Sequence, residues 1–304
     1  MRGDVSEIKG LKGEHLRVRY DPHQPFVIDG ETMRAPHGRI SALIGPNGSG
    51  KSTLLKALAR QLPCELGNIV LDGRDIASYP SFELARKLGI LFQERRAPAD
   101  LTVEELLRHG RYPHRRLFES FQPEDDAAVE SALRMAGIEN LRHALLGQLS
   151  GGQKQLAWIA MAVAQSPHYL LLDEPTTFLD IAHQFDVMDL LVRLNRELGM
   201  TVVLVVHDLN LAARYADYIF ALSAGKLVAA GAPEKVLNED LLRSVFEVEA
   251  RIVRDDVRGA PFCVPVKRAK AAKEPAQARS LEGETFSARG ERLIRFSART
   301  SSAG

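Results

Sequence analysis

Three short stretches of the chain are apolar at almost every position, without the alternation of a half-exposed strand. They are Ile40–Ile44 (ISALI), Tyr169–Leu172 (YLLL) and Thr201–Val206 (TVVLVV). Such continuous runs are typical of strands in a parallel sheet that is covered on both faces. Helical periodicity lies between them, for example over Ser52–Leu62 and Phe185–Leu198. Strands that alternate with helices predict an open, mostly parallel α/β sheet.

In the middle of the chain the strand pattern stops and helical patterns replace it. Thr102 and Glu105 have the spacing of a capping box, and Pro123 begins a helix-like run to Met135. We therefore expect an inserted helical subdomain at 94–150. The predicted core then consists of 1–93 and 151–265, and a basic tail follows at 266–304.

Composition limits the classes of function. The 304 residues include 40 Lys and Arg against 39 Asp and Glu, and this net charge of +1 offers no strong field for nucleic acid. Cys64 and Cys263 lie far apart and lack histidines at metal-binding spacing, so neither a disulfide framework nor a zinc site is predicted. The N-terminal residues show no signal-peptide pattern, and no apolar run reaches the roughly eighteen residues that span a membrane. We expect a cytoplasmic chain that reaches a membrane only through a partner.

The charge is uneven along the chain. Residues 267–304 hold nine basic and four acidic side chains, a net charge of +5. The same segment is rich in Ala, Arg and Ser and poor in large apolar residues, which favours a disordered appendage. Contact with an acidic surface and a regulatory role are the alternatives.

A glycine-rich motif of the form G-x-x-x-x-G-K-[ST] follows the strand ISALI and opens the next helical run. Backbone N–H groups and a helix N-terminus in this arrangement can bind phosphates. Lys51 is expected to neutralise the β- and γ-phosphates of a nucleotide, and the Ser52 hydroxyl to bind Mg²⁺. The alternative is a strand-to-helix turn that merely happens to be rich in glycine. The predicted nucleotide-binding residues of the loop are Gly45, Pro46, Asn47, Gly48, Ser49, Gly50, Lys51, Ser52 and Thr53.

Two carboxylates, Asp173 and Glu174, directly follow the second apolar strand. The carboxyl ends of parallel strands form the sheet edge at which nucleotides bind. Asp173 is therefore expected to hold Mg²⁺, and Glu174 to polarise an attacking water. A helix cap is the alternative for this pair. His207 follows the third strand, and Gln93 closes the run GILFQ. We expect His207 at the same edge, where a histidine can contact a γ-phosphate or serve only as a satisfied edge residue, and the same two alternatives hold for Gln93.

Taken together, these motifs resemble the ATP-binding subunits of ABC transporters. The decisive stretch is LSGGQ at 149–153, between Gln93 and the strand that ends in Asp173 and Glu174, with Leu179-Asp180 and His207 following in the family's order. The resemblance covers roughly residues 8–265. It implies a P-loop NTPase fold: a RecA-like core with a mostly parallel sheet, an N-terminal antiparallel β region and the inserted helical subdomain.

The resemblance also implies roles for individual residues. Tyr20 matches the aromatic residue that stacks on adenine, although a tyrosine on a strand face is the alternative. Gln93 matches the loop glutamine that reaches Mg²⁺ and the attacking water, Glu174 the catalytic base, and His207 the switch histidine. Two subunits pair head to tail in this family, so ATP lies between the phosphate loop of one copy and LSGGQ of the other. The residues implied to act on ATP in the second copy are Ser150, Gly151, Gly152, Gln153 and Asp180.

Residues between and beside these motifs narrow the resemblance to the ATPases of importers of ferric siderophores, haem and cobalamin. The ferric siderophore ATPases are the most similar of these. The stretches concerned are Arg111–His114, Leu117-Phe118, Leu179–Gln184, Leu194–Glu197 and His207–Asn210. One departure is Leu156, which stands where such subunits usually have a basic residue.

The resemblance implies an ATPase that pairs with itself under a membrane permease. It implies location on the cytoplasmic face of the inner membrane, an extracytoplasmic substrate-binding protein as an indirect partner, and no nucleic-acid partner. A haem or cobalamin importer is the alternative cargo assignment. A non-transport ABC ATPase is disfavoured because neither a long coiled-coil insertion nor a second cassette is present, and intact Glu174 and His207 disfavour a module that binds ATP without hydrolysis.

Overall fold

The computed structural model describes residues 9–93, 97–115, 120–256 and 259–269. The strands of this part are β1 (Leu11–Val18), β2 (Ile28–Ala35), β3 (Ile40–Ile44), β4 (Leu66–Leu71), β5 (Arg74–Asp75), β6 (Leu88–Leu91), β7 (Tyr169–Asp173), β8 (Thr201–Val205), β9 (Tyr218–Ser223), β10 (Lys226–Gly231), β11 (Val248–Arg254) and β12 (Pro261–Arg268). The α-helices are α1 (Lys51–Leu58), α2 (Ser81–Lys87), α3 (Val103–His109), α4 (Pro123–Ala136), α5 (Gly151–Ala164), α6 (Ile181–Leu198), α7 (Leu209–Tyr215), α8 (Pro233–Val236) and α9 (Glu239–Val245).

The central sheet has six strands in the order β10-β9-β3-β8-β7-β6, and every pairing except that of β10 with β9 is parallel. The three apolar runs of the sequence form β3, β7 and β8, whose residues are all buried. The predicted parallel α/β sheet is therefore confirmed. Because these strands are parallel, their carboxyl ends lie at one edge of the sheet.

A second, antiparallel sheet has the order β2-β1-β4-β5 and forms the N-terminal β region. The two faces of the central sheet pack into different apolar clusters. Ile40 and Ala42 of β3 belong to one cluster, and Leu43 belongs to the other, together with Leu54 and Leu55 of α1. Helix α1 is thus held between the two sheets, with its N-terminus at the carboxyl edge of β3.

Helix α1 ends earlier than its apolar periodicity predicts. The pattern extends to Leu62, whereas the helix ends at Leu58. Arg60 has a φ of +56°, which an α-helix does not allow. The N–H of Arg60 donates to the Ala57 carbonyl oxygen and that of Gln61 to the Lys56 carbonyl oxygen, at 2.9 Å each, so a Schellman motif ends the helix here. The Arg60 guanidinium donates to the carbonyl oxygens of Ile76 and Tyr79 at 3.0 and 2.6 Å.

The middle of the chain is helical, and α3 and α4 both pack against α5. The capping box at the start of α3 is confirmed: the Thr102 hydroxyl accepts from the Glu105 N–H, and the Glu105 carboxylate accepts from the Thr102 N–H. Helix α4 begins at Pro123, as expected. Helices α3 and α4 fall within the predicted inserted segment at 94–150, and α5 begins directly after it. Residues 94–96 and 116–119 of this segment, including Leu117-Phe118, lie outside the described residues.

The C-terminal part of the described chain is an antiparallel hairpin of β11 and β12. Its second strand ends at Arg268, so residues 266–268 of the predicted tail lie in a strand, in which Lys267 and Arg268 pair with Glu249 and Val248. The rest of the tail, from residue 270 to 304, lies outside the described residues. Among the described helices, none has both the length and the apolar character needed to cross a membrane.

Candidate functional site

The phosphate loop joins β3 to α1 at the carboxyl edge of the central sheet. Gly45 has a φ of +151°, and an added Cβ would lie 2.2 Å from the Leu222 carbonyl oxygen and 2.7 Å from Ser49 Oγ. No side chain fits at this position, so the backbone of the loop can approach β9 closely. Helix α1 begins directly after the loop, at Lys51, and the first N–H groups of a helix have no acceptor within it.

Two polar side chains of the loop are available to an anion. Lys51 is only 5% exposed, and its ammonium donates to the carbonyl oxygens of Gly45 and Pro46 at 2.9 Å each. Burial lowers the pKa of Lys51, and the carboxylates of Glu174 and Asp173 oppose that shift. Ser49 is 2% exposed, and its Oγ has no hydrogen-bond partner in the described part of the chain. A buried cation beside an unsatisfied hydroxyl fits the phosphate groups of a nucleotide.

Ser52 and Asp173 meet across the gap between α1 and β7. The Ser52 hydroxyl donates to Asp173 Oδ1 at 2.8 Å. Burial raises the pKa of Asp173, against the hydrogen bond from Ser52 and the charges of nearby lysines. A hydroxyl and a carboxylate are oxygen ligands of the kind that Mg²⁺ prefers, so the pair fits the predicted metal role.

Glu174 is the centre of a hydrogen-bonded cluster at the same edge. Its Oε2 accepts from Gln93 Nε2 at 2.9 Å and from Thr177 Oγ1 at 3.1 Å, and its Oε1 lies 2.5 Å from His207 Nε2. The side chain is 13% exposed, and the residue has a φ of +52°. Gln93, Glu174 and His207 follow three neighbouring strands, β6, β7 and β8, so the parallel sheet brings these predicted residues together. Sequence reasoning missed Thr177, and its only signal is its position three residues after Glu174.

Tyr20 lies beside the first turn of α1. Its hydroxyl is 3.2 Å from Thr53 Oγ1, and the Lys56 ammonium is 5.9 Å from the ring centroid. The residue is 56% exposed. Both Tyr20 and Thr53 thus lie near the phosphate loop, and Tyr20 is exposed there.

The LSGGQ stretch begins helix α5. Ser150 caps it: its hydroxyl accepts from the Gln153 N–H at 3.2 Å, and Gln153 Oε1 accepts from the Ser150 N–H at 3.1 Å. A Cβ added to Gly151 would make only an ordinary contact, 3.8 Å from Leu179 Cδ2. One added to Gly152 would lie 2.0 Å from Cδ2 of His183, so Gly152 packs tightly within its own chain.

Asp180 is the N-cap of α6, next to this turn. Its Oδ1 accepts from the His183 N–H at 2.9 Å, and His183 Nδ1 lies 2.7 Å from the same oxygen. These hydrogen bonds hold the pKa of Asp180 below its ordinary value, the backbone N–H of His183 having the largest effect. The side chain is 66% exposed, so the carboxylate is accessible to a second molecule.

Curated relatives resemble the chain over most of its length. The ferric enterobactin transport ATP-binding protein FepC of Escherichia coli (strain K12) is 46% identical over 264 residues, which are 87% of this chain and 97% of FepC. The probable siderophore transport system ATP-binding protein YusV of Bacillus subtilis (strain 168) is 43% identical over 269 residues, 88% of this chain and 97% of YusV.

Solved structures agree with this similarity. An inward-facing putative metal-chelate type ABC transporter superposes with a TM-score of 0.73 at 28% identity and covers 85% of this chain and 98% of its own. The dimeric bacterial ABC transporter cassette MJ0796 superposes with a TM-score of 0.64 at 28% identity, over 73% of this chain and 98% of its own. A family model described as ABC transporter matches residues 28–177. The chain therefore belongs to the ATP-binding subunits of ABC transporters.

Proposed function

We propose that this ATPase subunit energises the uptake of an iron chelate, a ferric siderophore, through a membrane permease. The observation that supports hydrolysis is the Glu174 carboxylate, which Gln93, Thr177 and His207 hold next to the phosphate loop. The assignment of the cargo rests on the relatives, two of which are named for ferric enterobactin transport and for siderophore transport.

The phosphate loop binds the nucleotide in this proposal. N–H groups of the loop and of the first turn of α1 bind phosphate oxygens, and Lys51 neutralises their charge. Ser52 and Asp173 would hold Mg²⁺, with Gln93 as a further oxygen ligand, and a bound Mg²⁺ supplies charge neutralisation between the phosphates. Tyr20 offers its ring to the adenine.

Glu174 acts on the attacking water. Its carboxylate accepts a hydrogen bond from the water and orients it towards the γ-phosphate. Thr177 and Gln93 hold one carboxylate oxygen, and His207 holds the other, so the group is oriented before the water arrives. His207 is positioned to contact the γ-phosphate itself once it leaves Glu174.

The chain acts as a head-to-tail homodimer. Ser150, Gly151 and the N-terminus of α5 would approach the γ-phosphate bound by the second copy, and Asp180 would contact that copy's phosphate loop. The exposure of Ser150 and Gly151 at the start of α5 and of Asp180 supports this arrangement, because these residues are accessible to a partner. The chain would lie on the cytoplasmic face of the membrane, below a permease that receives its cargo from an extracytoplasmic binding protein.

An uptake experiment tests the proposal. Cells that express the protein with its permease should accumulate ⁵⁵Fe from a ferric siderophore, and the same cells with Glu174→Gln should not. Radiolabelled haem and cobalamin are the competing cargoes in parallel assays. Uptake of either one without uptake of ferric siderophores would reassign the cargo, and ATP hydrolysis without uptake of any of the three would contradict the transport role.

A further inference from the structure

His183 touches both elements that the chain presents to a second copy. It is the third residue of α6, and its ring lies against the first turn of α5. A Cβ on Gly152 would lie 2.0 Å from Cδ2, 2.4 Å from Cγ and 2.8 Å from Cβ of His183. Rotating the ring would not relieve the last of these contacts, because Cβ moves only with the backbone of α6. The two helices therefore meet at this point with no room for a methyl group.

The other side of the same imidazole holds Asp180. The carboxylate oxygen Oδ1 accepts from the backbone N–H of His183, and ring Nδ1 lies 2.7 Å from it. Asp180 has a lowered pKa and is an ionised acceptor at neutral pH, so Nδ1 is the ring nitrogen that donates the proton. One oxygen of Asp180 is thus occupied within the chain, and the direction of the other is fixed by that hydrogen bond.

We propose that His183 is a positioning residue that joins the first turn of α5, at Gly152, to the carboxylate of Asp180. This turn and this carboxylate then meet the second copy in a fixed relative orientation. The inference rests on the proposed head-to-tail dimer and goes beyond it in one respect. It assigns the need for glycine at position 152 to His183 of the same chain, whereas the family resemblance linked Gly152 only to ATP of the second copy.

A set of glycine variants tests the packing half of the proposal in the free subunit. Gly151→Ala and Gly152→Ala both add a methyl group in the first turn of α5, where alanine is the better helix former. We expect Gly151→Ala to keep or raise the midpoint of urea unfolding and Gly152→Ala to lower it, because only the second methyl meets His183.

His183→Gly is the suppressor, since it removes the ring and the Cβ together. Added to Gly152→Ala, it should bring the unfolding midpoint back to that of His183→Gly alone, so that the methyl group costs nothing once His183 is gone. If Gly152→Ala lowers the midpoint equally in both backgrounds, or not at all, His183 is not what excludes a side chain at position 152.

The second part of the proposal, the hydrogen bond from His183 to Asp180, is tested by measuring ATP-dependent dimerisation. The parent protein is Glu174→Gln, which should accumulate the dimer. His183→Phe keeps a ring but has no donor, and His183→Asn has a donor close to the position of Nδ1. We expect His183→Phe to raise the dimer dissociation constant about tenfold, the scale of a lost hydrogen bond to a charged group. His183→Asn should stay nearer to the parent, and ATP affinity of the monomer should be unchanged in both.

Equal weakening by the two substitutions would show a packing role only, and no weakening by His183→Phe would show that Asp180 needs no support; either result overturns this half. Failure of the proposed dimer has a different outcome, because the Glu174→Gln parent itself would then remain monomeric with ATP. The unfolding series would still decide the packing half in that case.

Discussion

Replacing Glu174 by Gln is the most direct test of the proposed catalytic cluster. The substitution keeps the shape of the side chain but turns one acceptor oxygen into an NH₂ donor. Glu174 receives hydrogen bonds from Gln93 and Thr177 on one oxygen and contacts His207 with the other. An amide group must therefore direct its NH₂ either at the two donors or at the imidazole. The first arrangement places donors against donors, and the second requires His207 to accept.

The expected loss of turnover follows from the contacts that the attacking water loses when the carboxylate is replaced. A glutamine does not take a proton from the attacking water and holds it less firmly, and removing one key group of this kind costs roughly 10² or more in turnover. That factor corresponds to about 2.7 kcal/mol of the activation barrier. ATP affinity should be preserved, because Lys51, Ser49 and the glycines of the phosphate loop are untouched.

The assay is phosphate release at saturating ATP, with nucleotide binding measured separately by equilibrium titration. Glu197→Gln is a matched control, since Glu197 is an exposed residue of α6 and its substitution makes the same change of charge. A Glu174→Gln protein that retains near-normal turnover would remove Glu174 from the role of base. A loss of ATP binding would show instead that the carboxylate supports the nucleotide site.

Three further substitutions test other parts of the molecule. Lys51→Ala should weaken ATP binding roughly ten- to a hundredfold through the lost charged contact, and unchanged affinity in a binding titration would contradict the phosphate-loop assignment. Gly151→Asp should leave that affinity intact but abolish ATP-dependent dimerisation in size-exclusion chromatography, because it places a carboxylate near the partner's phosphate; a dimer that persists would contradict the trans role. Arg111→Met should cost about 3–5 kcal/mol of unfolding free energy, because it leaves buried Asp125 unpaired. Burial raises the pKa of Asp125, but hydrogen bonds from Gln122 and Arg111 outweigh this and lower it, so the pair's contribution is present at neutral pH and should be lost as the pH falls through the folded-state pKa. If urea unfolding shows that Arg111→Met costs the same free energy at pH 7 and at a pH well below 4, this prediction is contradicted.

The convergence of Gln93, Glu174 and His207 could be predicted from the sequence because it depends only on strand order. Each residue follows a strand with apolar side chains, and parallel strands end at a common edge. The capping box at Thr102 was equally accessible, since it requires only local spacing.

What the sequence concealed depends on contacts between distant side chains and on unusual backbone angles. The early end of α1 follows from the positive φ of Arg60 and the capping bonds around it, which the apolar pattern does not indicate. The tight packing of Gly152 on His183 requires the position of α6 relative to α5, which no periodicity reports. The resemblance therefore linked Gly152 only to ATP of a second copy, whereas the structure shows that it packs against His183 of its own chain.

The turn from β7 to α6 connects the two halves of the proposed chemistry. Thr177 donates to the Glu174 carboxylate with its hydroxyl and to the Glu174 carbonyl oxygen with its backbone N–H, at 3.1 and 3.3 Å. Glu174 and Phe178 both have positive φ, at +52° and +65°, which costs conformational energy in non-glycine residues. Phe178 is 94% exposed and stands two residues before Asp180. In the proposed dimer, a second copy that contacts Asp180 would therefore act on the same strained turn that orients the Glu174 carboxylate.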